Sequence, residues 1–356
     1  MLACLLVLLT GCSTAVHRGG NERPPDWGIA ENVKPPLVAP VVPAPPPTPA
    51  PTLPAPPAPP EEPVNTWVSL DRWSQQHGFG AVRRLSRAPT VTYALSTTNG
   101  LLVVTIGSRS ASWDGVELRL GFTPQQIDGQ VFLHGLDLRK NLEPLLGGFR
   151  LNSWTNRVIV IDPGHGGANM GAKNIFNGRD EKEYTLDWAR RLEPLLATNG
   201  WKVFLTRTRD VEVSPTNRVN FADQHHADLF LSLHFNSLAP AKEPAGLETY
   251  CVTPTGMPSS LTRGYEDDPS RIFPNNAFDG QNLQFAVRLH RALLAVNGNQ
   301  DRGVGRARFI TVLREQNRPA VLVEGGYLSN PHEARRIADP AYRQKLAEAV
   351  AKALND

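Results

Sequence analysis

Arg157-Val158-Ile159-Val160-Ile161-Asp162-Pro163-Gly164-His165-Gly166-Gly167 is the stretch on which the reading of the fold turns. Val158 to Ile161 is continuous, β-branched and bounded by turn formers, the pattern of a fully buried strand. Pro163 and three glycines cannot continue it, and they hold one histidine in the turn. Glycine has no Cβ and tolerates positive φ, so backbone can pack closely around an imidazole or a ligand. In α/β sheets ligands bind just beyond the carboxyl ends of the strands, where this histidine falls. Taken alone, a plain glycine-rich turn with an incidental exposed histidine accounts for the stretch equally well.

Outward from this turn, residues 156 onward alternate strand and helix. Candidate strands are 158–161, 202–205, 229–233, 247–252, 309–313 and 320–324, and candidate helices are 180–196, 214–226, 282–296 and 339–354. Ser214-Pro215 and Asp339-Pro340 each pair an N-cap residue with proline at the first helical position. Pro194, inside the first helical pattern, is expected to kink or shorten it. The alternation gives an α/β fold: an open, mostly parallel or mixed six-stranded sheet with helices on both faces. The stretch 254–279 is rich in Pro, Ser, Asp and Asn and lacks periodicity, so it reads as a long loop or insertion.

Toward the N-terminus the 356-residue chain changes character. An apolar start leads into Thr10-Gly11-Cys12-Ser13, as in a secretion signal. Leu9-Thr10-Gly11-Cys12 resembles the bacterial lipobox, although no Lys or Arg precedes the apolar run. That resemblance implies cleavage before Cys12 (residues 1–12 as signal), a lipid on its sulfur and an anchor in a membrane. Ser13, in place of aspartate, leans toward an outer membrane of the cell envelope. Residues 13–63 read as a tether: fifteen of the twenty-nine residues from 35 to 63 are proline, which favours extended polyproline II and a reach of ~90 Å. Residues 64–148 read as a separate small α+β domain, with helices at 71–78 and 136–146 and strands at 90–95, 101–106 and 116–120. This recurrence resembles the copper amine oxidase N-terminal-like domain of bacterial envelope proteins and implies a wall-binding or spacer module. Copper is not implied, because His77 and His134 lack a ligand cluster. The net charge of +3 suits an anionic polymer or surface and falls short of a nucleic-acid signature. With only Cys4, Cys12 and Cys251, the body of the chain has no disulfide framework.

Two further strands end as the first does. Residues 229–233 run into His234-Phe235-Asn236, and 320–323 run into Glu324-Gly325-Gly326. If these strands are parallel neighbours, His165, His234 and Glu324 converge on one edge of the sheet. Two histidines and a carboxylate with one open position form the catalytic zinc arrangement. A second carboxylate is then needed as general base, and Glu324 can be read as ligand or as base. The other carboxylate is sought in Asp180-Glu181-Lys182-Glu183, where acids also complement a helix dipole. Asp180 and Glu183 suit a capping-box pair, which leaves Glu181 as the ligand candidate. Asp162 either orients His165 from behind or caps the turn. Glu248 and Asn236 are candidates for the substrate cleft, Cys251 reads as a small buried hydrophobe, and His225 and His226 as surface or packing residues.

Val160 through Gly167, Gly171-Ala172, Glu181-Lys182-Glu183, Leu205-Thr206-Arg207, Ala227 through Asn236 and Val321 through Asn330 together resemble the amidase_3 family of zinc-dependent N-acetylmuramoyl-L-alanine amidases. The resemblance covers residues 156–356 as a catalytic domain. It implies Zn2+ held by His165, Glu181 and His234, with Glu324 as the catalytic glutamate. It also implies a substrate, the amide between the lactyl group of N-acetylmuramic acid and L-alanine in peptidoglycan, and a role in cell-wall remodelling or cell separation. An activator protein is a candidate partner, and the 254–279 stretch is too proline-rich to be one long regulatory helix.

Overall fold

The computed structural model describes residues 66–148, 156–262, 267–298 and 300–355; Cys12 and the 13–63 tether lie outside the described residues. The first region runs β1 (Trp67–Ser69), α1 (Leu70–Gln76), β2 (Arg83–Arg84), β3 (Thr92–Ser96), β4 (Leu101–Thr105), β5 (Ser110–Trp113), β6 (Val116–Arg119), β7 (Gln125–Ile127) and β8 (Gln130–His134). A broken helical stretch follows: α2 (Gly135–Asp137), a wide turn at Leu138–Leu142 and α3 (Glu143–Gly147). The second region runs β9 (Val158–Pro163), α4 (Glu181–Thr198), β10 (Lys202–Leu205), α5 (Pro215–Gln224), β11 (Leu229–Asn236) and β12 (Leu247–Cys251). It continues through α6 (Asp279–Asn297), β13 (Asp301–Arg306), α7 (Thr311–Arg314), β14 (Ala320–Tyr327), α8 (Pro331–Ala338) and α9 (Pro340–Ala353). Among the described residues no helix is long and apolar enough to cross a membrane.

The strands of the second region stand in the order β10-β9-β11-β14-β12-β13. The first four are mutually parallel, β12 runs antiparallel to β14, and β13 is parallel to β12. The β9 sequence shows why this sheet is covered on both sides. Side chains alternate faces along a strand: Ile159 and Ile161 enter one hydrophobic cluster with Trp188, Leu192, Leu289 and Val350, whereas Val158 and Val160 enter a second with Ala222, Phe230 and Leu313. Helices α4, α6 and α9 therefore cover one face, and α5 with α7 the other.

Three local expectations are corrected. Residues 309–313 do not form a strand; α7 begins there, and the sixth strand is β13, which starts eight residues earlier. The β13 sequence Asp301-Arg302-Gly303-Val304-Gly305-Arg306 carries two glycines, which hide it from a search for β-branched runs. Both are needed for close approach: a Cβ on Gly305 would lie 2.8 Å from the Tyr250 ring, and one on Gly303 would lie 3.0 Å from the Glu117 carbonyl. Helix α4 is not shortened at Pro194 and continues to Thr198. The expected helix at 136–146 is broken after Asp137, whose buried carboxylate accepts from the backbone N–H groups of Gly121 and Phe122 and from Asn141.

The sheet also crosses the boundary expected near 149–155. Beyond β13 it continues through β6, β5, β4, β3 and β2, giving eleven strands among the described residues, while β1, β8 and β7 form a small sheet of their own. Leu118 pairs in parallel with Val304, and the Asp301 carboxylate accepts from the Glu117 N–H at 2.8 Å. Arg109 donates to the carbonyl of Ser259 (3.1 Å), Lys140 pairs with Asp279 (3.0 Å), and Arg306 donates to Asn141 Oδ1 (3.0 Å). Trp73, Trp113 and Leu118 of the first region lie in the same hydrophobic cluster as Trp188 and Val350 of the second. His134 is occupied structurally: it caps α2 and stacks on Phe122.

Candidate metal centre and catalytic site

Beyond β9 the backbone turns sharply at Gly164 and His165, and His165 itself has φ +63°. The glycines make room for side chains rather than for solvent. A Cβ on Gly164 would lie 2.3 Å from His234 Nε2, and one on Gly171 would lie 2.6 Å from Glu181 Oε2 and 2.7 Å from His165 Cδ2. Gly164→Ala is therefore expected to push the His234 ring aside and lower metal affinity about 10- to 100-fold, with helix content unchanged. Competition against a chelator, alongside circular dichroism, measures both.

Arginines hold the turn from below. Arg207 donates to the carbonyls of Pro163 (2.9 Å), Gly164 (2.8 Å) and Lys182 (2.8 Å). Burial among these groups, with Arg218 close by, brings its pKa down to about 10. Arg218 donates to the carbonyls of Pro163 (3.0 Å) and His165 (2.8 Å) and forms a buried ion pair with Asp162. Asp162 does not orient His165, because its two oxygens are already taken by Thr206, Ser232 and Arg218. The partner that meets His165 is Asn169: Nδ1 of the ring lies 2.8 Å from Asn169 Oδ1. As Oδ1 accepts only, this contact suits a proton on Nδ1, and a cation between His165 and Glu181 would then take the lone pair of Nε2.

Glu181 is the first residue of α4, and the Asp180–Glu183 capping box forms behind it. Its Oε2 lies 3.0 Å from His165 Nε2 and its Oε1 lies 3.0 Å from His234 Nδ1. The same oxygens accept from the backbone N–H groups of Ala172 (2.9 Å) and Phe235 (3.0 Å). Burial alone would raise its pKa, but the two histidines outweigh that and hold the carboxyl well below the usual range. The donor atoms of His165, Glu181 and His234 lie within 4.8 Å of one another, and all three residues are buried. Among the described residues, His165 Nε2 meets only the Glu181 carboxylate, and a cation set between them would satisfy both. Two imidazoles and one carboxylate are the donor set that zinc takes in open catalytic sites.

Glu324 stands beside this cluster. In the sheet register it is the partner of His234 on one side and of Glu248 on the other. Its Oε2 is buried without a hydrogen-bond partner among the described residues. Burial, then the charges of Glu181 and Glu248, push its pKa well above the ordinary carboxylate value. Glu248 and Asn236 come together: Asn236 Nδ2 donates to Glu248 Oε2 at 2.7 Å, and both are buried. The other oxygen of Glu248 accepts from Tyr327 Oη (2.9 Å) and Arg302 Nε (2.7 Å). Asn169, Arg218, Tyr327 and Arg302 were not singled out in the sequence. Arg302 lay in the unrecognised β13, and Asn169 and Arg218 sit among loop and helix residues with no distinguishing pattern.

A sheet edge that gathers two histidines and two carboxylates in this way defines the class of an α/β hydrolytic enzyme with a site for a metal ion. The Amidase_3 family model, described as N-acetylmuramoyl-L-alanine amidase, matches residues 159–356, and the chain belongs to this family of enzymes. It is 30% identical over 217 residues to the N-acetylmuramoyl-L-alanine amidase AmiA of Escherichia coli, covering 55% of this chain and 74% of that one. It is 34% identical over 199 residues to LytC of Bacillus subtilis, covering 56% of this chain and 35% of that one. A solved amidase structure from Clostridium difficile 630 is 28% identical with a TM-score of 0.46, covering 56% of this chain and 95% of that one.

Proposed function

We propose that this chain hydrolyses the amide between N-acetylmuramic acid and L-alanine in peptidoglycan with a zinc ion held by His165, Glu181 and His234. The observation that carries this reading is the convergence of those three residues from β9, α4 and β11, with Glu324 in register beside His234. Zinc in such a site supplies Lewis-acid polarisation of a carbonyl and lowers the pKa of water to roughly 7. The other work falls to side chains of the protein. Asn169 fixes the His165 tautomer, and the Ala172 and Phe235 amides keep Glu181 ionised and oriented. Glu324 takes the proton of the attacking water on Oε2 and returns it to the leaving alanine nitrogen. That oxygen is buried with no hydrogen-bond partner among the described residues, so it is free to hold the proton between the two steps.

Export and lipid anchoring at Cys12 place this activity in the cell envelope, with the proline-rich tether carrying the enzyme away from the membrane to the wall. The test is digestion of purified peptidoglycan by the metal-loaded protein, with products identified by mass. Release of peptide stems free of sugar, abolished by chelation and restored by zinc, is expected. Sugar-linked fragments would point to another bond, and tight wall binding with no release would replace the enzyme by an adaptor. His165→Ala is expected to retain well under one equivalent of zinc, measured by atomic absorption; full zinc content would remove His165 from the ligand set.

A further inference from the structure

The row of functional side chains does not end at Glu324. Across four neighbouring strands it reads His234 on β11, Glu324 on β14, Glu248 on β12 and Arg302 on β13. Arg302 is fixed at three points. Its aliphatic stem lies over Gly246, where a Cβ would come within 2.8 Å of Cγ. Its Nε donates to Glu248 Oε1 at 2.7 Å, and its guanidinium sits 5.2 Å above the Tyr327 ring. Glu248 is in turn held by Asn236 and Tyr327, so the arginine is anchored to a rigid, buried group.

What Arg302 does with its remaining donors is the informative point. Nε is committed, whereas Nη1 and Nη2 have no partner among the described residues, and the side chain is 31% exposed. A guanidinium with a locked plane and two free tips at the accessible end of a catalytic row is arranged to receive a carboxylate. We infer that Arg302 is a specificity-determining residue that binds a carboxylate of the leaving peptide. This rests on the amidase reading above and adds which half of the substrate lies on which side. The sugar half carries hydroxyl and acetamido groups without charge, and only the peptide half carries carboxylates. The peptide therefore runs from Glu324 toward β13. Arg302 stands two strands from Glu324, on the order of 10 Å at ~4.8 Å per strand. An extended peptide advances about 3.3–3.6 Å per residue, so, with the reach of the arginine side chain, the carboxylate that it meets belongs to the second residue of the stem.

The experiment uses the zinc-loaded protein and two soluble muropeptides that differ only at the second stem residue, one with its carboxylate free and one with it amidated. The wild type is expected to prefer the free acid. In Arg302→Met, kcat/KM for the free acid is expected to fall about 10- to 100-fold, mostly through KM, and the preference to collapse toward one. Arg302→Lys, which keeps the charge without the fork, is expected to recover part of it. An equal loss on both substrates, or a loss confined to kcat, would overturn the inference and leave Arg302 as a prop for Glu248. If the wild type releases peptide from neither substrate, the amidase reading falls and this inference with it. If both are cleaved without discrimination, only the carboxylate subsite is lost.

Discussion

Glu324→Gln is expected to lower kcat by about 10²–10⁴-fold, the usual loss on removing a positioned general base, while zinc content and fold stay intact. The glutamine keeps the volume and one hydrogen-bonding oxygen but cannot take a proton. Glu324 Oε2 has no hydrogen-bond partner among the described residues, so the substitution breaks no bond to them. It also removes a buried carboxyl that faces the charges of Glu181 and Glu248, and the melting temperature should hold or rise slightly. Turnover of a soluble muropeptide, with metal content determined on the same sample, separates the two roles that the sequence left open. Lost turnover with a full equivalent of zinc makes Glu324 the base. Lost zinc makes it a ligand, and turnover within threefold of wild type removes it from the mechanism.

The parts of this site that were legible in the sequence are those where one requirement dominates. A strand buried on both faces must be continuously apolar, so Val158–Ile161 and Leu229–Leu233 announced themselves, and the polar residue that ends each run marked the sheet edge. Glu181 could be separated from Asp180 and Glu183 because capping geometry uses fixed offsets, and that box is present. What stayed hidden depends on contacts across the chain. β13 is a strand because Gly303 and Gly305 let β6 and Tyr250 approach, which local β-propensity does not report. Asn169 is significant only because the turn brings its amide to His165 Nδ1.

The same limit applies to the first region. Residues 66–148 have the composition of a small α+β unit, but no periodicity says where an edge strand will pair. The pairing of β6 with β13 joins it to the sheet that carries Arg302, since Leu118 stands opposite Val304 and Arg119 Nη2 donates to the Arg302 carbonyl at 3.3 Å. The region is thus a direct structural support for the strand that carries Arg302.

Arg218→Met is expected to cost about 3–5 kcal/mol of stability, because it leaves a buried anion without its counter-charge. The side chains of Arg218 and Asp162 are 6% and 1% exposed. Burial would raise the Asp162 pKa, but Arg218, helped by the Thr206 hydroxyl, more than offsets it and holds the carboxyl below its ordinary value. The sign of the pH dependence follows. A carboxyl with a depressed folded pKa contributes stability above its unfolded pKa of about 3.9, and loses it as pH falls through the folded value. The deficit of Arg218→Met should be largest between about pH 5 and 8 and shrink below about pH 4, where the wild type gives up the same term. Urea unfolding of both proteins across that range measures it, and a deficit that stays constant down to pH 3 would show that packing, not the ion pair, is what Arg218 provides. The functional consequence is coupled to this one. Arg218 Nη2 holds the His165 carbonyl at 2.8 Å, so a variant that survives at low temperature should also bind zinc more weakly, because the turn that presents His165 has lost its brace.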